Sequence, residues 1–352
     1  MKALKWLGLL IGLPSVAIAI FYIWASASTQ DSQTYAETVS YAPASLNPAN
    51  LSEGKARELD QGYTIVSYNI GYLSGLANNT TEKIDRSFYE ENQQRAIAAI
   101  ESVNPDIVAF QEIDFDSKRS YQVNQAEAIA QATRLYNGAT ATSWDKNYVP
   151  FPYWPPAAHF GKMLSGQAIL TRAWLPIQEN HRLVLEQVAD KPFFYKAFYL
   201  NRLAQVTQID LLGQPVMVIN VHLEAFEEQT RVNQTKFVRA LAEDYAKTYP
   251  VIVVGDFNSA LNRSSFVTTQ DETIQETQFS IKEMLASEQL ASAVPPSEWI
   301  GKNATFPSDK PEYKLDYMFY TPSTIEVLET GVLTAAGESS DHLPITMRFR
   351  LK

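Results

Sequence analysis

Polar side chains that can bind a metal ion or transfer a proton lie at the ends of several predicted strands of this chain. A strand end is a favourable place for chemistry, because the rigid strand fixes a side chain that the next loop leaves exposed. Since these residues come from separate strands, we expect them to meet at one face of a core sheet. The set comprises Asn69, Glu112, His222, Asp256, Asn258, Asp341 and His342, with Asp316 inside a further strand.

The donor types in this set indicate a hard divalent cation. The chain has no cysteine, which excludes thiolate ligands, disulfides and a cysteine nucleophile. Carboxylate and amide oxygens suit Mg²⁺ or Mn²⁺, whose matched ligand on a substrate is a phosphate oxygen. Such an ion would polarise a phosphoryl group while an aspartate or histidine activates water. The residue types therefore favour phosphoester hydrolysis.

The stretch VIVVGDFNS, residues 251–259, brings two of these polar residues together. Four β-branched residues predict a buried strand, and Gly255 lets the backbone turn before Asp256 and Asn258. Taken alone, the stretch favours an ordinary Asx-turn that closes a strand. Because the ends of other predicted strands carry similar polar residues, we interpret this stretch as part of a functional site.

The elements that would position these residues alternate between strands and helices. Strands are predicted over residues 63–68, 106–110, 167–171, 251–254, 314–320 and 343–351, with a hairpin over 193–223. Helices are predicted over residues 87–103, with Ser87 as the N-cap, over 122–135 and from the end of the hairpin to about 249. Consecutive hairpin strands argue against a purely parallel sheet.

Six motifs, in order along the chain, carry a family resemblance. They are SYNI (67–70), FQEI (110–113), NVHLEA (220–225), GDFNS (255–259), KLDYMFY (314–320) and SSDHLPI (339–345). Together they resemble the endonuclease/exonuclease/phosphatase superfamily, the metal-dependent phosphohydrolases related to pancreatic deoxyribonuclease and the neutral sphingomyelinases. The resemblance implies an α/β fold for a catalytic domain over residues 62–352: a four-layer α/β/β/α sandwich of two mostly antiparallel sheets with outer helices.

The same resemblance implies a metal site that uses Mg²⁺ or Mn²⁺. Asn69 and Glu112 would hold the ion, with Glu112 as the main anionic ligand. Asp341 would contribute to a second metal position. The number of metal ions stays open at this point.

Catalytic roles also follow from the resemblance. Asp256 would orient or deprotonate the attacking water, and Asn258 would position the water or the phosphate. His342 would stabilise the phosphorane or act as general base, held in its tautomer by Asp316. His222 would donate a hydrogen bond to a non-bridging phosphate oxygen. Whether Asp256 or His342 is the base is left open.

The amino terminus predicts export of the body from the cytoplasm. Lys2 and Lys5 precede an uncharged run over residues 6–24, which as a helix would span about 28 Å. The charge pattern orients the run with its amino terminus in the cytoplasm. Residues 1–27 form either a retained signal-anchor or, with the small-x-small sequence 25–27, a cleaved signal peptide. Residues 28–61 are predicted to be a spacer.

The net charge and the aromatic content restrict the classes of substrate that this chain is expected to bind. The formal charge of −10 argues against nucleic-acid binding through a general electrostatic field. The aromatic, proline-containing stretch 139–160 is predicted to be a loop that forms either a satellite core or a contact with substrate or membrane. We therefore expect an extracytoplasmic, monomeric phosphodiesterase for lipid-like substrates, with a secreted or anchored nuclease as the alternative.

Overall fold

The computed structural model describes residues 2–44, 62–78, 80–189, 191–261 and 279–352, with the backbone alone described for residues 2–11. The strands are β1 (Ala36–Ser40), β2 (Tyr63–Asn69), β3 (Ile107–Asp114), β4 (Asn137–Val149), β5 (Gly161–Thr171), β6 (Ile177–Val184), β7 (Leu203–Leu211), β8 (Gln214–His222), β9 (Val251–Asp256), β10 (Ala291–Ser292), β11 (Asp316–Tyr320), β12 (Ile325–Val332) and β13 (Ile345–Leu351). The helices are α1 (Lys2–Ser26), α2 (Arg86–Ser102), α3 (Gln125–Thr133), α4 (Phe193–Lys196), α5 (Glu228–Tyr245) and α6 (Ile281–Leu285).

The strands form two mixed sheets. A seven-stranded sheet has the order β1-β4-β5-β3-β2-β13-β12, and a six-stranded sheet has the order β10-β11-β9-β8-β7-β6. The pairs β2–β3 and β8–β9 are parallel, and the other pairs are antiparallel. Each parallel pair has a helix in its crossover, α2 in one and α5 in the other, as parallel neighbours require. The predicted α/β fold with two sheets is confirmed.

Three apolar clusters hold four layers together. The central cluster joins the inner faces of the sheets, where Ile65 and Ile107 face Val218 and Ile252. A second cluster packs α2 and α3 on the outer face of the seven-stranded sheet. A third packs α5 and α6 on the outer face of the six-stranded sheet. Because both faces of the central strands are covered, β9 is buried along its whole length, which explains its unbroken apolar run.

Local details differ from the sequence predictions at two places. Asp85, and not Ser87, caps α2, because the carboxylate of Asp85 accepts from the backbone N–H of Phe88 at 2.8 Å. The stretch 139–160 was predicted to be a loop, but β4 occupies its first half. Register shifts within β4, between Thr142 and Trp144 and again before Val149, break the alternation of the strand and hide it from a periodicity search.

The predicted spacer over residues 28–61 is wrong over part of its length. Strand β1 pairs antiparallel with β4 at the edge of the seven-stranded sheet. Just before it, the carboxylate of Asp145 accepts hydrogen bonds from the backbone N–H groups of Thr29 and Gln30 at 2.7 and 2.9 Å. Short polar strands such as AETVS lack the apolar pattern that would mark them in a sequence. Residues 45–61 of the predicted spacer lie outside the described residues.

Helix α1 docks its carboxyl end on the body. The ring of Tyr22 packs edge-on against Phe198 at 5.6 Å, and Trp24 stacks on Tyr148 at 6.2 Å. The ammonium of Lys146 donates to the carbonyl of Ser26 at 2.8 Å. Within the described part of the chain, no helix combines the length and the apolar content needed to cross a membrane. A helix therefore occupies the position predicted for the transmembrane or signal segment. Its role in membrane attachment or export remains a prediction.

Gly255 is required where β8 and β9 run side by side. Its φ of +137° lies in a region that L-residues rarely adopt, and a Cβ there would stand 2.0 Å from the carbonyl oxygen of Val221. We expect Gly255→Ala to lower the free energy of unfolding by about 3 kcal/mol or more, since backbone strain and overlap add. Denaturant unfolding followed by circular dichroism measures this loss.

Gly213→Ala is the matched control for that substitution. Gly213 also has a positive φ, +94°, but its Cβ would meet nothing within 4 Å among the described residues. Gly213→Ala should therefore lower the free energy of unfolding by about 1 kcal/mol, the cost of backbone strain alone. Equal losses for the two variants would show that the close approach to Val221 is unimportant.

Candidate active site

The structure brings all the predicted site residues to one edge of the sandwich. The parallel pairs β2–β3 and β8–β9 end there, so that their carboxyl-terminal residues face each other across the two sheets. Strand β11 begins at the same edge, opposite the end of β9, and the segment before β13 closes it. Hydrogen bonds and close charged contacts connect the predicted set, which comprises Asn69, Glu112, His222, Asp256, Asn258, Asp316, Asp341 and His342.

Asp256 lies at the centre of the site. Its Oδ1 accepts from the backbone N–H of Asn258 at 2.8 Å, which is the Asx-turn considered in the sequence analysis. Its Oδ2 accepts from the Nδ2 of Asn69 at 2.9 Å and lies 3.8 Å from the Nε2 of His342. One oxygen therefore closes the turn while the other faces the site. Burial raises the pKa of Asp256 to about 7.

Asn258 takes the conformation that its position demands. Its φ of +49° is left-handed, a region that asparagine tolerates better than most residues. Its Nδ2 donates to the carbonyl of Leu223 at 3.0 Å, which ties the end of β9 to the end of β8. The side chain thus holds the two strand ends together and leaves its Oδ1 available.

His342 and Asp316 form a buried ion pair beside Asp256. The Nδ1 of His342 lies 2.9 Å from the Oδ2 of Asp316, and the ring is held 4.9 Å from the ring of Phe306. Burial opposes a charge on the imidazole, but the carboxylates of Asp316 and Asp256 outweigh it and raise the pKa of His342 well above its usual range. The two carboxylates therefore favour the imidazolium form of His342.

Glu112 occupies a strained position in β3. A register shift falls between Phe110 and Ile113, and Glu112 within it has a φ of +51°. Such bulges redirect a side chain, and strain of this kind occurs at functional sites. The Oε1 of Glu112 lies 3.5 Å from the Nε2 of His222. Burial, and then the nearby Asp341 carboxylate, raise the pKa of Glu112.

Asn78 bridges two acids of the site. Its Nδ2 donates to the Oε2 of Glu112 at 2.9 Å and lies 3.2 and 3.3 Å from the two carboxylate oxygens of Asp341. Three carboxylate oxygens therefore converge on the NH2 group of one amide. This convergence marks the position at which a cation would be favoured.

Arg202 adds a cation that the sequence analysis missed. Its Nη1 donates to the Nε2 of His222 at 2.6 Å, so the proton of the neutral imidazole must reside on Nδ1. Burial and the Arg202 charge lower the pKa of His222 well below its usual range. The Nη2 of Arg202 donates to the Tyr199 hydroxyl at 3.1 Å, and that hydroxyl donates to Glu224 at 3.0 Å. His222 is thus neutral, and Arg202 carries the positive charge.

The charge balance of the site fits a divalent cation. Glu112, Asp256, Asp316 and Asp341 face the protonated His342, while Arg202 is already paired with Glu224 at 3.5 Å. The Oδ1 of Asp316 is buried and has no hydrogen-bond partner among the described residues. Buried carboxylates in excess of cations are costly unless a positive ion compensates them. The donors present therefore fit a hard divalent metal.

A second grouping of possible ligands lies within the same site. Ligand atoms of Asp256, Asp316 and His342 all lie within 4.8 Å of one another. A protonated imidazole that donates to Asp316 has no free lone pair for a metal, so this group is better suited to proton transfer. Glu112, Asp341 and the Oδ1 of Asn69 remain as oxygen donors among the residues predicted to bind metal. That Oδ1 accepts from the backbone N–H of Gly71 at 3.1 Å.

Three residues of the site had no distinct signal in the sequence. Arg202 precedes a strand instead of following one, Asn78 lies in a polar loop, and Tyr199 belongs to an aromatic segment. Glu224 lies two residues after His222 in the NVHLEA motif, so this proximity could have suggested a role for Glu224. The other contacts depend on packing between distant segments and have no local pattern.

The fold and the site together define a metal-dependent phosphoester hydrolase. A model of the Endonuclease/Exonuclease/phosphatase family matches residues 66–342, which is most of the chain. The chain therefore belongs to this family, as the six motifs predicted. Its members depend on a divalent metal.

Solved structures share the fold at low sequence identity. The catalytic domain of human Nocturnin with bound sulfate is 18% identical, with a TM-score of 0.55, over 92% of this chain and 100% of that chain. The mannosyl-6-phosphatase Bt3783 of Bacteroides thetaiotaomicron is 18% identical, with a TM-score of 0.53, over 82% of this chain and 99% of that chain. At this identity the likeness establishes the fold, and the substrates of these proteins are not transferred.

A curated relative matches a shorter stretch. The UPF0294 protein of Vibrio cholerae (strain El Tor Inaba N16961) is 32% identical over 142 residues, which is 40% of this chain. The matched region spans 41% of the length of that relative. The activity and partners of the whole chain do not follow from this match.

Proposed function

We propose that this chain hydrolyses phosphodiesters of membrane-associated, lipid-like substrates. The proposed choice of substrate is supported by exposed aromatic side chains beside the active site. This aromatic rim consists of Phe193, Phe194 and Phe226, with exposed fractions of 52 to 75%. Exposed aromatic rings at one surface are typical of contacts with lipid headgroups and acyl chains.

Contacts link the rim to the site. The backbone N–H of Phe226 donates to Glu224 at 3.0 Å, and Glu224 accepts from Tyr199, which touches Arg202. Tyr195, next to Phe194 in sequence, stacks on Tyr199 at 5.1 Å. A substrate lying against the rim would thus have its phosphate within reach of the catalytic groups.

Two groups of the site suit the proton transfers of this reaction. His342 lies between two carboxylates that favour its imidazolium form, so it would stabilise charge on the phosphorane or donate a proton to the leaving oxygen. Because the imidazolium form of His342 cannot accept a proton, we assign the role of base to Asp256, whose Oδ2 faces the site.

The remaining roles follow from the same contacts. Glu112, Asn69 and Asp341 would hold Mg²⁺ or Mn²⁺, which when bound would neutralise charge on the phosphoryl oxygens. Arg202 would bind a non-bridging phosphate oxygen, because it carries the charge that His222 lacks. A donated hydrogen bond from the Nε2 of His222 would require its contact with Arg202 to change.

The proposal extends to location and assembly. Helix α1 exposes large apolar side chains, and it docks beside Phe193 of the rim, with the Tyr22 and Phe193 rings 6.0 Å apart. We propose that α1 attaches the chain to a membrane, either as a retained anchor or until cleavage, with the body outside the cytoplasm. We further propose that the enzyme acts as a monomer.

A substrate panel tests the proposed function. We expect the purified full-length chain with Mg²⁺ to hydrolyse bis(p-nitrophenyl) phosphate and to lose this activity in EDTA. Phospholipid vesicles should be cleaved faster than plasmid DNA, because the negative net charge disfavours the polyanion. Faster degradation of DNA would replace the lipid proposal by the nuclease alternative. Activity that survives EDTA would exclude the metal mechanism.

A further inference from the structure

A connected series of side-chain contacts runs from helix α1 to Arg202 in the active site. Its first member is Tyr22 of α1, whose ring lies edge-on to Phe198 at 5.6 Å and to Phe193 at 6.0 Å. Both phenylalanines belong to the connection between β6 and β7, which also contains α4. Phe193 is 75% exposed, so this connection has little apolar anchoring of its own. Tyr22 therefore supplies packing that the connection lacks.

Tyr199, the residue after Phe198, continues the series into the active site. Its ring stacks on Tyr195 at 5.1 Å, and its hydroxyl lies 3.0 Å from both carboxylate oxygens of Glu224. The same hydroxyl accepts from the Nη2 of Arg202 at 3.1 Å. Burial raises the pKa of Tyr199, so the hydroxyl keeps its proton. It can therefore donate to Glu224 while it accepts from Arg202.

Arg202 depends on this hydroxyl because it has few other anchors. Its Nη1 donates to the Nε2 of His222 at 2.6 Å, and its Nε is buried without a hydrogen-bond partner among the described residues. The carboxylate of Glu224 lies 3.5 Å from that Nε. Loss of the Tyr199 contact would therefore leave one hydrogen bond to hold the guanidinium. A shift of about 1 Å at a group that binds the reacting phosphate can lower the rate about 10²-fold.

The end of α1 is fixed to the body independently of the Tyr22 ring. The Nζ of Lys146 donates to the carbonyl of Ser26 at 2.8 Å, and the Nδ2 of Asn147 donates to the carbonyl of Trp24 at 3.0 Å. Both donors lie on β4 of the seven-stranded sheet. Because the acceptors are backbone groups of α1, replacement of an α1 side chain leaves these bonds in place. The helix thus presents the Tyr22 ring to the β6–β7 connection from a fixed point.

We propose that Tyr22 is a positioning residue of the active site, which holds Arg202 in place through the β6–β7 connection. The inference rests on the proposed phosphodiesterase function, in which Arg202 binds the phosphate, and it adds a means of regulation. Removal of α1 by cleavage after Ala27 deletes Tyr22 and leaves Arg202 less firmly held. The retained chain is therefore the more active form.

Two substitutions of Tyr22 test this role in the full-length chain. Tyr22→Ala should lower kcat/KM for bis(p-nitrophenyl) phosphate about 10-fold, because the ring contact with Phe198 is lost. Tyr22→Phe keeps the ring and should stay within about 2-fold of the native chain. Phe21→Ala is the matched control, since the Phe21 ring packs on Tyr148 of β4 at 5.8 Å. Its loss should leave the rate unchanged.

Tyr199→Phe separates this series of contacts from a general effect on the fold. Loss of the hydroxyl should lower kcat/KM about 30-fold, as expected for a hydrogen bond to a charged group. In that background Tyr22→Ala should cause little further loss, because the contact that Tyr22 supports is already absent. Losses that multiply, or an unchanged rate in Tyr22→Ala, would overturn the inference.

Histidine ¹⁵N NMR reports the position of Arg202 without turnover. In the native chain and in Tyr22→Phe, His222 should be the Nδ1–H tautomer, because Arg202 donates to its Nε2. In Tyr22→Ala this tautomer should no longer predominate. If the native chain does not hydrolyse bis(p-nitrophenyl) phosphate, the proposed function fails, and the spectrum then decides the role of Tyr22 by itself. An unchanged His222 tautomer in Tyr22→Ala would refute that role.

Discussion

Replacement of Glu112 by glutamine is expected to lower kcat/KM for bis(p-nitrophenyl) phosphate about 10³-fold, because it removes the main anionic donor proposed for the metal. The same variant should lose the rise in melting temperature that Mg²⁺ gives to the native chain, since an ion that binds only the folded state stabilises it. Glutamine keeps the size of the side chain. The fold, including the bulge in β3, should therefore stay intact.

The two measurements separate a metal ligand from a structural residue. Without Mg²⁺, Glu112→Gln should melt at or above the native temperature, because a buried carboxylate beside Asp341 is lost. Glu90→Gln is the matched control, an exposed acid that pairs with Arg86 on the surface of α2. It should change neither the activity nor the response to Mg²⁺. A Glu112→Gln variant that still responds to Mg²⁺ would place the ion elsewhere, at Asp256 and Asp316.

Replacement of His342 by alanine should lower kcat by about 10²-fold or more, with a smaller change in KM. The physical reason is its position between two carboxylates, where the imidazolium supplies a fixed positive charge to the phosphorane or a proton to the leaving oxygen. Steady-state kinetics across a range of pH measures the effect. The acidic limb of the rate profile should persist, because Asp256 is the proposed base.

Asp316→Asn tests whether the pair acts as a unit. Asp316 holds the Nδ1 of His342 at 2.9 Å, so its loss should lower kcat in the same direction, and the double variant should lose little more than His342→Ala alone. His181→Ala is the control, since His181 is an exposed histidine that contacts Glu179 on β6. An unchanged rate in His342→Ala would remove this residue from the mechanism. Fully additive losses would show that Asp316 acts independently.

The sequence by itself determined the chemistry and the approximate architecture. Buried strands are apolar along their length, so a polar residue at the end of such a run stands out, and most of the eight predicted site residues were found this way. The order of the motifs then identified the family. Strand ends are local features, so the residues beside them can be recognised from the sequence alone.

Tertiary structure decided how those residues interact. Arg202 sets the tautomer of His222, and Asn78 bridges Glu112 and Asp341, although Asn78 and Asp341 are 263 positions apart. The docking of α1 and the pairing of β1 with β4 likewise join segments about 100 positions apart or more. Such contacts depend on how two sheets and their loops pack, and no local pattern encodes that packing.

The protonation states of the site residues also depend on the tertiary structure. Histidine and aspartate residues could be assigned to the site from sequence, but their charges depend on burial and on neighbours a few ångströms away. Asp316 and Asp256 raise the pKa of His342, whereas burial and Arg202 lower the pKa of His222. The pKa values of two histidines in one site thus shift in opposite directions, because the fold gives them opposite electrostatic surroundings.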